Sequence, residues 1–237
     1  MYQLDIKIDI PDVQALVRAG QKVAIIQDVA SGAFSGSVAR DSETDEASDI
    51  ADITVQESGS TPDIVTAQTG KVVWLTVAPV QNTSLTWEPD VTLYQSGQPT
   101  SGAEITQSNS VSPVSPGVVY PYTNSGFGTG QRPGGTDQSS YYMCNSNTHA
   151  GLAFGLARDC SMNGNKLPGS PIANSIRTVL NGEIGCFQVV DKIHLFVGTL
   201  NGVGIFQNVA LIHLSTTVIS DGSPVTATYA DGGFSFS

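Results

Sequence analysis

Alternating apolar and polar residues cover much of the chain. At the start, Leu4 and Ile6 alternate with polar and charged residues, which is the period of a strand with one buried face. The pattern changes after Pro11, where apolar residues recur at helical spacing until Gly20. Proline favours the first turn of a helix and glycine favours its end. We therefore expect one short helix over about residues 11–19.

Strand patterns recur through the rest of the chain. The dipeptides Asn181-Gly182, Asn201-Gly202 and Asp221-Gly222 separate apolar runs, and such dipeptides are typical of hairpin turns. The predicted strands are about residues 22–26, 50–56, 64–67, 72–77, 84–87, 91–94, 103–106, 117–120, 150–157, 176–180, 192–197, 202–209, 210–218 and 224–229. This spacing predicts an all-β fold, an antiparallel β-sandwich with one short N-terminal helix, over residues 1–237 as one domain.

Two segments depart from the strand pattern. Residues 31–63 hold eight of the 21 acidic residues, and a cluster of like charges usually stays solvated. We expect an acidic excursion there. Residues 121–140 are rich in Gly, Ser and Asn and predict a long polar loop, a type that is functional or mobile in compact domains.

Composition narrows the class of protein. Only 13% of the residues are charged and the net charge is −11, which excludes the basic surface of a nucleic-acid-binding protein. No apolar run approaches the roughly 20 residues of a transmembrane helix, and the first residues lack the apolar run of a signal peptide. We expect an acidic, cytoplasmic protein.

The motifs that carry common chemistries are incomplete. The glycine-rich run at 126–135 lacks the Lys-Ser/Thr pair of a phosphate loop, and Glu46 stands where a calcium loop needs glycine. Cys144, His149 and Cys160 do not have the spacing of a zinc site. The odd number of cysteines predicts buried, reduced thiols. We therefore expect no enzyme and no metal.

Two groups of residues are candidates for binding a ligand. Lys192, His194 and Phe196 share one face of a predicted strand, and a lysine in apolar surroundings can form a Schiff base with a carbonyl compound. The alternative is a lysine at the end of a strand that extends into water. Trp74 and Trp87 are the only tryptophans and are candidates for core packing or for stacking on a ligand.

Five segments carry a resemblance to a known family. They are AGQKVAI at 19–25, VVW at 72–74, NTSLTWEPDVTLY at 82–94, FQVVDKIHLF at 187–196 and YADGGF at 229–234. These segments resemble a family of small, Ser/Thr-rich β proteins of fungi and bacteria, among which we place the pink chromoprotein of oyster-mushroom fruiting bodies. The resemblance implies a non-enzymatic β protein that holds a small coloured organic molecule and forms a homodimer.

Two functions are therefore expected. The first is a chromoprotein or pigment carrier that holds a small apolar chromophore, with Lys192 as the candidate for covalent attachment. The alternative is a lectin-like or membrane-active defence protein, for which the aromatic residues of the segment 120–127 would contact sugar or lipid. The second function rests on analogy between folds.

Overall fold

The computed structural model describes residues 1–40, 50–55, 71–147, 151–175, 178–200, 202–207 and 214–237, and only the backbone at 34–40 and 50–55. Strands dominate this part of the chain, which confirms the all-β prediction. The helix among these residues, α1, spans Ile10–Arg18, close to the expected boundaries. Gly20 follows it with a φ of 65°, the left-handed conformation that commonly ends a helix.

Eighteen strands are described. In chain order they are β1 (Tyr2–Ile8), β2 (Lys22–Arg40), β3 (Ile50–Val55), β4 (Lys71–Val73), β5 (Leu75–Val77), β6 (Asn82–Trp87), β7 (Thr92–Ser96), β8 (Gln107–Val111), β9 (Val119–Thr123), β10 (Gly126–Phe127), β11 (Tyr141–Asn145), β12 (Ala153–Met162), β13 (Asn165–Asn174), β14 (Glu183–Gly198), β15 (Ile205–Gln207), β16 (Ser215–Val218), β17 (Val225–Ala230) and β18 (Gly233–Phe236). The predicted strand at 64–67 lies outside the described residues.

These strands form two large sheets and one small one. The first large sheet has the order β18-β17-β1-β6-β12-β7-β8, with β13 also paired to β12. The second has the order β10-β9-β11-β14-β2-β3, with β16 paired to β14 and β5 to β2. The small sheet joins β15 to β4. Side chains of both large sheets meet in one buried core that includes Leu4, Leu85, Ile25 and Leu195.

The sheets are mixed rather than purely antiparallel. β1 pairs with β17 in parallel, and β9 pairs with β11 in parallel. A parallel pair needs a long connection that carries the chain back to the same end of the sheet. The segment 121–140 supplies that connection between β9 and β11. Its prediction as a loop is therefore wrong at its start, where β9 and β10 form a hairpin.

The acidic segment 31–63 is also partly strand. β2 continues to Arg40 and pairs with β3, and the remaining residues of the segment, 41–49 and 56–63, lie outside the described residues. Two further hairpins are absent from the prediction. Asn163-Gly164 joins β12 to β13 and Asp231-Gly232 joins β17 to β18, and all four residues have positive φ.

Candidate functional site

The predicted ligand-binding residues of β14 do share one face. Lys192, His194 and Phe196 alternate with Ile193 and Leu195, which are fully buried in the core between the sheets. The three candidates therefore point away from that core. Phe196 packs against buried aliphatic side chains of β2, β4 and β15, and Lys192 is half-buried.

His194 is the centre of a polar cluster on this outer face. Its Nδ1 lies 2.8 Å from Oγ1 of Thr216. Its Nε2 lies 3.7 Å from Oδ2 of Asp28 and 3.5 Å from Nζ of Lys71. The contact with His194 is the largest influence on Asp28 and, with the charge of Lys71, outweighs burial and lowers the pKa of the carboxyl group. The cluster joins β2, β4, β14 and β16, so we interpret His194 as a structural cross-link.

The two tryptophans lie on the other side of the second sheet, in the core between the two large sheets. Their ring centroids are 5.2 Å apart in an edge-to-face arrangement, and both indole N–H groups are buried without a hydrogen-bond partner among the described residues. Tyr2 stacks on Trp87 at 5.7 Å, and its hydroxyl donates to Oδ1 of Asp191 at 3.2 Å. The five predicted residues therefore do not form one site, because Trp74 and Trp87 are separated from the outer face of β14.

Trp87 differs from Trp74 because it also lines a cavity of about 580 Å³ beside β6, β7, β12 and β13. Apolar side chains of the wall include Trp87, Val91, Pro113, Leu167 and Pro168. Glu88, Asp90, Asp159 and Lys166 also line it, and these four residues are exposed to solvent. The volume lies in the range that holds a small organic molecule, and such sites combine apolar walls with a few polar groups.

The cavity lies where a long strand is interrupted. β6 and β7 pair with one edge of β12, with Trp87 opposite Cys160 and Thr92 opposite Ala157. The four residues 88–91 therefore face only two residues of β12. We call residues 88–91 the cavity bulge, since the extra residues bend the strand away from the regular ladder.

Arg158 lies beneath the cavity bulge and is only 4% exposed. Its Nη2 donates to the carbonyl oxygen of Pro89 at 2.8 Å, and its Nε donates to that of Asp90 at 3.4 Å. Its Nη1 donates to Oε1 of Gln27 in the facing sheet at 3.3 Å. Burial lowers the pKa of the guanidinium, which remains charged at neutral pH.

Gln27 fills a second bulge, in the second sheet. Residues 190–192 of β14 face a single residue of β2. Nε2 of Gln27 donates to the carbonyl oxygen of Val190 at 2.6 Å and to that of Lys192 at 3.2 Å. Arg158 and Gln27 therefore connect two bulges, one in each large sheet, across the core.

Arg158 and Gln27 are not among the residues that the sequence patterns predict for the site. Arg158 follows the apolar run at 152–157 and has the same strand parity as the buried Phe154 and Leu156. A charged residue at an inward-facing strand position is rare unless its charge is satisfied. The inward-facing position of Arg158 could therefore be predicted from the sequence. Its contact with Gln27 could not, because that contact depends on the pairing register of the strands.

All three cysteines are free and buried, as predicted. Burial raises the pKa of Cys160, which lines the cavity, to about 11, so its thiol is a poor nucleophile at neutral pH. Within the described ranges, no group of three or more His, Cys, Asp or Glu could hold a metal ion. His149 and His213 lie outside those ranges.

Comparisons of the chain with protein-family models, with curated proteins and with solved structures gave no match. Among the described residues, no helix has the length and apolar character needed to cross a membrane.

Proposed function

We propose that this protein is a non-enzymatic carrier of a small, largely apolar organic molecule, held in the cavity beside Trp87. The observation that carries the proposal is the cavity of about 580 Å³ with an aromatic and aliphatic wall. The proposal takes the two large sheets as the layers of a sandwich. A chromophore is the ligand class that the family resemblance implies, and the homodimer remains a prediction.

The wall favours a ligand with an apolar body. Pro113, Leu167 and Pro168 line the cavity with side chains that are at least partly exposed. Trp87 also lines the cavity but is only 3% exposed, because Tyr2 and Trp74 pack against its ring. Because the ionic groups of the wall belong to exposed residues, polar substituents of the ligand would face them and water.

If the ligand is attached covalently in this cavity, the candidate lysine is Lys166 rather than Lys192. Lys166 lines the cavity, whereas Lys192 lies on the outer face of β14. A carbonyl ligand in the cavity would therefore meet the amine of Lys166, and the Schiff base at Lys192 requires a separate site. Borohydride reduction followed by peptide mapping distinguishes Lys166, Lys192 and non-covalent binding.

The carrier proposal is better supported than the lectin-like or membrane-active alternative. Tyr122 and Phe127 pack edge-to-face against each other and against Phe154, and Tyr120 is 9% exposed. These rings stabilise the core and do not form an exposed aromatic surface. A glycan array and a liposome-leakage assay test the alternative directly, and binding or leakage would favour it.

Titration with the neutral apolar dye Nile red tests the proposed cavity. We expect saturable binding of one dye per chain with a rise in dye fluorescence. Leu167→Gln places an amide in the wall and should weaken binding about tenfold, because apolar contact of a leucine contributes roughly 1.5 kcal/mol or more. Leu152→Gln is the matched control, since Leu152 is a half-buried core leucine that does not line the cavity.

Two results would contradict the proposal. One is the absence of saturable binding to the unmodified protein. The other is equal weakening by Leu167→Gln and Leu152→Gln, which would place the dye elsewhere or show a general loss of structure.

A further inference from the structure

We propose that Arg158 is a positioning residue for the ligand, which it does not itself contact. Its role is to hold the cavity bulge, residues 88–91, in the position that shapes the wall of the cavity. The inference rests on the proposed function, and it assigns a role to the buried positive charge of Arg158.

The cavity bulge depends on Arg158 because regular pairing is interrupted there. Residues 88–90 are exposed, and Pro89 has no N–H group to donate. The carbonyl oxygens of Pro89 and Asp90 both accept hydrogen bonds from the Arg158 guanidinium. On the solvent-exposed side of the bulge, the N-terminal amine lies 3.4 Å from Oε2 of Glu88. An exposed ion pair of this kind contributes little to stability.

Three of the four bulge residues line the cavity. Glu88, Asp90 and Val91 are part of its wall, and Trp87 and Thr92 on either side are too. A displacement of this segment therefore changes the cavity directly. β-bulges are over-represented beside functional sites, where they redirect side chains.

A contribution to stability alone does not explain why an arginine is buried at position 158. The guanidinium has no ion-pair partner among the described residues, and it donates to neutral oxygen atoms of Gln27, Pro89 and Asp90. Burying a charge is costly, and apolar side chains of similar volume often replace buried charges without loss of stability. The placement makes sense if three directed donors are needed to fix one backbone segment.

The hydrogen bond to Gln27 fixes the position of the guanidinium relative to the opposite sheet. Gln27 is itself held by two carbonyl groups of the β14 bulge. The position of the cavity bulge is therefore set relative to the second sheet as well as to β12. A planar group with donors in a fixed fork suits this geometry better than a lysine ammonium does.

The experiment compares Arg158→Met and Arg158→Lys with the unmodified full chain. Nile red affinity and thermal stability are measured for each. Tyr94→Phe is the matched control, because it removes a buried hydrogen bond, from the Tyr94 hydroxyl to the carbonyl of Ala173, outside the cavity wall.

We expect Arg158→Met to bind Nile red at least tenfold more weakly. Arg158→Lys should recover part of the affinity, and Tyr94→Phe should change it less than twofold. If Arg158→Met does not fold, Arg158→Lys decides, with a loss of more than threefold expected. An affinity within twofold of the unmodified protein in the folded Arg158 variants would overturn the inference. Failure of the unmodified protein to bind Nile red would instead overturn the proposed function.

Discussion

Nη1 of Arg158 and Oε1 of Gln27 are joined by a hydrogen bond of 3.3 Å that crosses the core between the two large sheets. Each residue also satisfies carbonyl groups of a β-bulge in one sheet. The interior is therefore not uniformly apolar, because one polar pair connects the two irregular segments. The cavity lies beside one of these segments.

Replacing Gln27 by leucine should be strongly destabilising. The substitution leaves the carbonyl groups of Val190 and Lys192 without their donor and removes the oxygen that Arg158 binds. Unsatisfied buried polar groups and an uncompensated charge predict a loss of about 2–4 kcal/mol in the free energy of unfolding. Urea denaturation measures it, with Gln188→Leu as a control at a more exposed glutamine. Equal decreases in the free energy of unfolding of the two variants would show that the buried hydrogen bonds of Gln27 do not contribute more to stability than those of a more exposed glutamine.

Asp28→Asn should destabilise the protein at neutral pH but not in strong acid. The lowered pKa of Asp28 means that the folded state favours the carboxylate. That contribution is complete above the ordinary value of 3.8 and is lost as the pH falls through the lower value of the folded protein.

We expect a difference of about 1 kcal/mol from pH 7 to about pH 5, which disappears by about pH 2. Urea denaturation at each pH measures it, with Asp231→Asn in an exposed turn as the control. A difference that is independent of pH would contradict the role of the carboxylate charge.

Gly155→Ala should destabilise the first sheet. An added Cβ would lie 2.2 Å from the carbonyl oxygen of Ala173 and 2.3 Å from the ring of Tyr94. Such overpacking costs about 1–3 kcal/mol. The control is Gly97→Ala, where a Cβ meets no atom within 4 Å. Thermal unfolding of the two variants should therefore differ by several degrees, and equal midpoints would contradict the close packing at Gly155.

The three cysteines should be unreactive in the folded protein. Burial raises the pKa of Cys144, and it raises those of Cys160 and Cys186 to about 11. A thiol reagent such as DTNB at pH 8 should label fewer than about one in ten thiols before unfolding and all three in denaturant. Val218→Cys is the positive control, because Val218 is 64% exposed. Rapid native labelling of the unmodified protein would contradict this burial.

Local patterns predicted the strands better than they predicted the pairing of strands. The alternation at Leu4 and Ile6 and the helix before Gly20 follow from neighbouring residues, so both were predicted correctly. The parallel pairs depend on long connections, which have no local signature. Asn163-Gly164 is different, because an Asn-Gly dipeptide is itself typical of a hairpin turn. Both residues have positive φ angles, as they do in such turns.

The candidate site was predictable only in part. Trp87 was identified, but alternation along β14 could not show that Lys192, His194 and Phe196 face away from the tryptophans. That separation depends on which face of the second sheet meets the first. The cavity itself depends on a bulge of four residues opposite two, and no single stretch of sequence encodes such a register shift.

Native mass spectrometry of the protein purified from its own source, together with its absorption spectrum, tests the carrier proposal most directly. The proposal predicts a native mass that exceeds the sequence mass by one small organic molecule per chain. Denaturation should remove that mass unless the ligand is covalently attached, in which case the added mass should map to a single lysine. A native mass equal to the sequence mass, without absorption beyond that of tyrosine and tryptophan, would contradict the proposal.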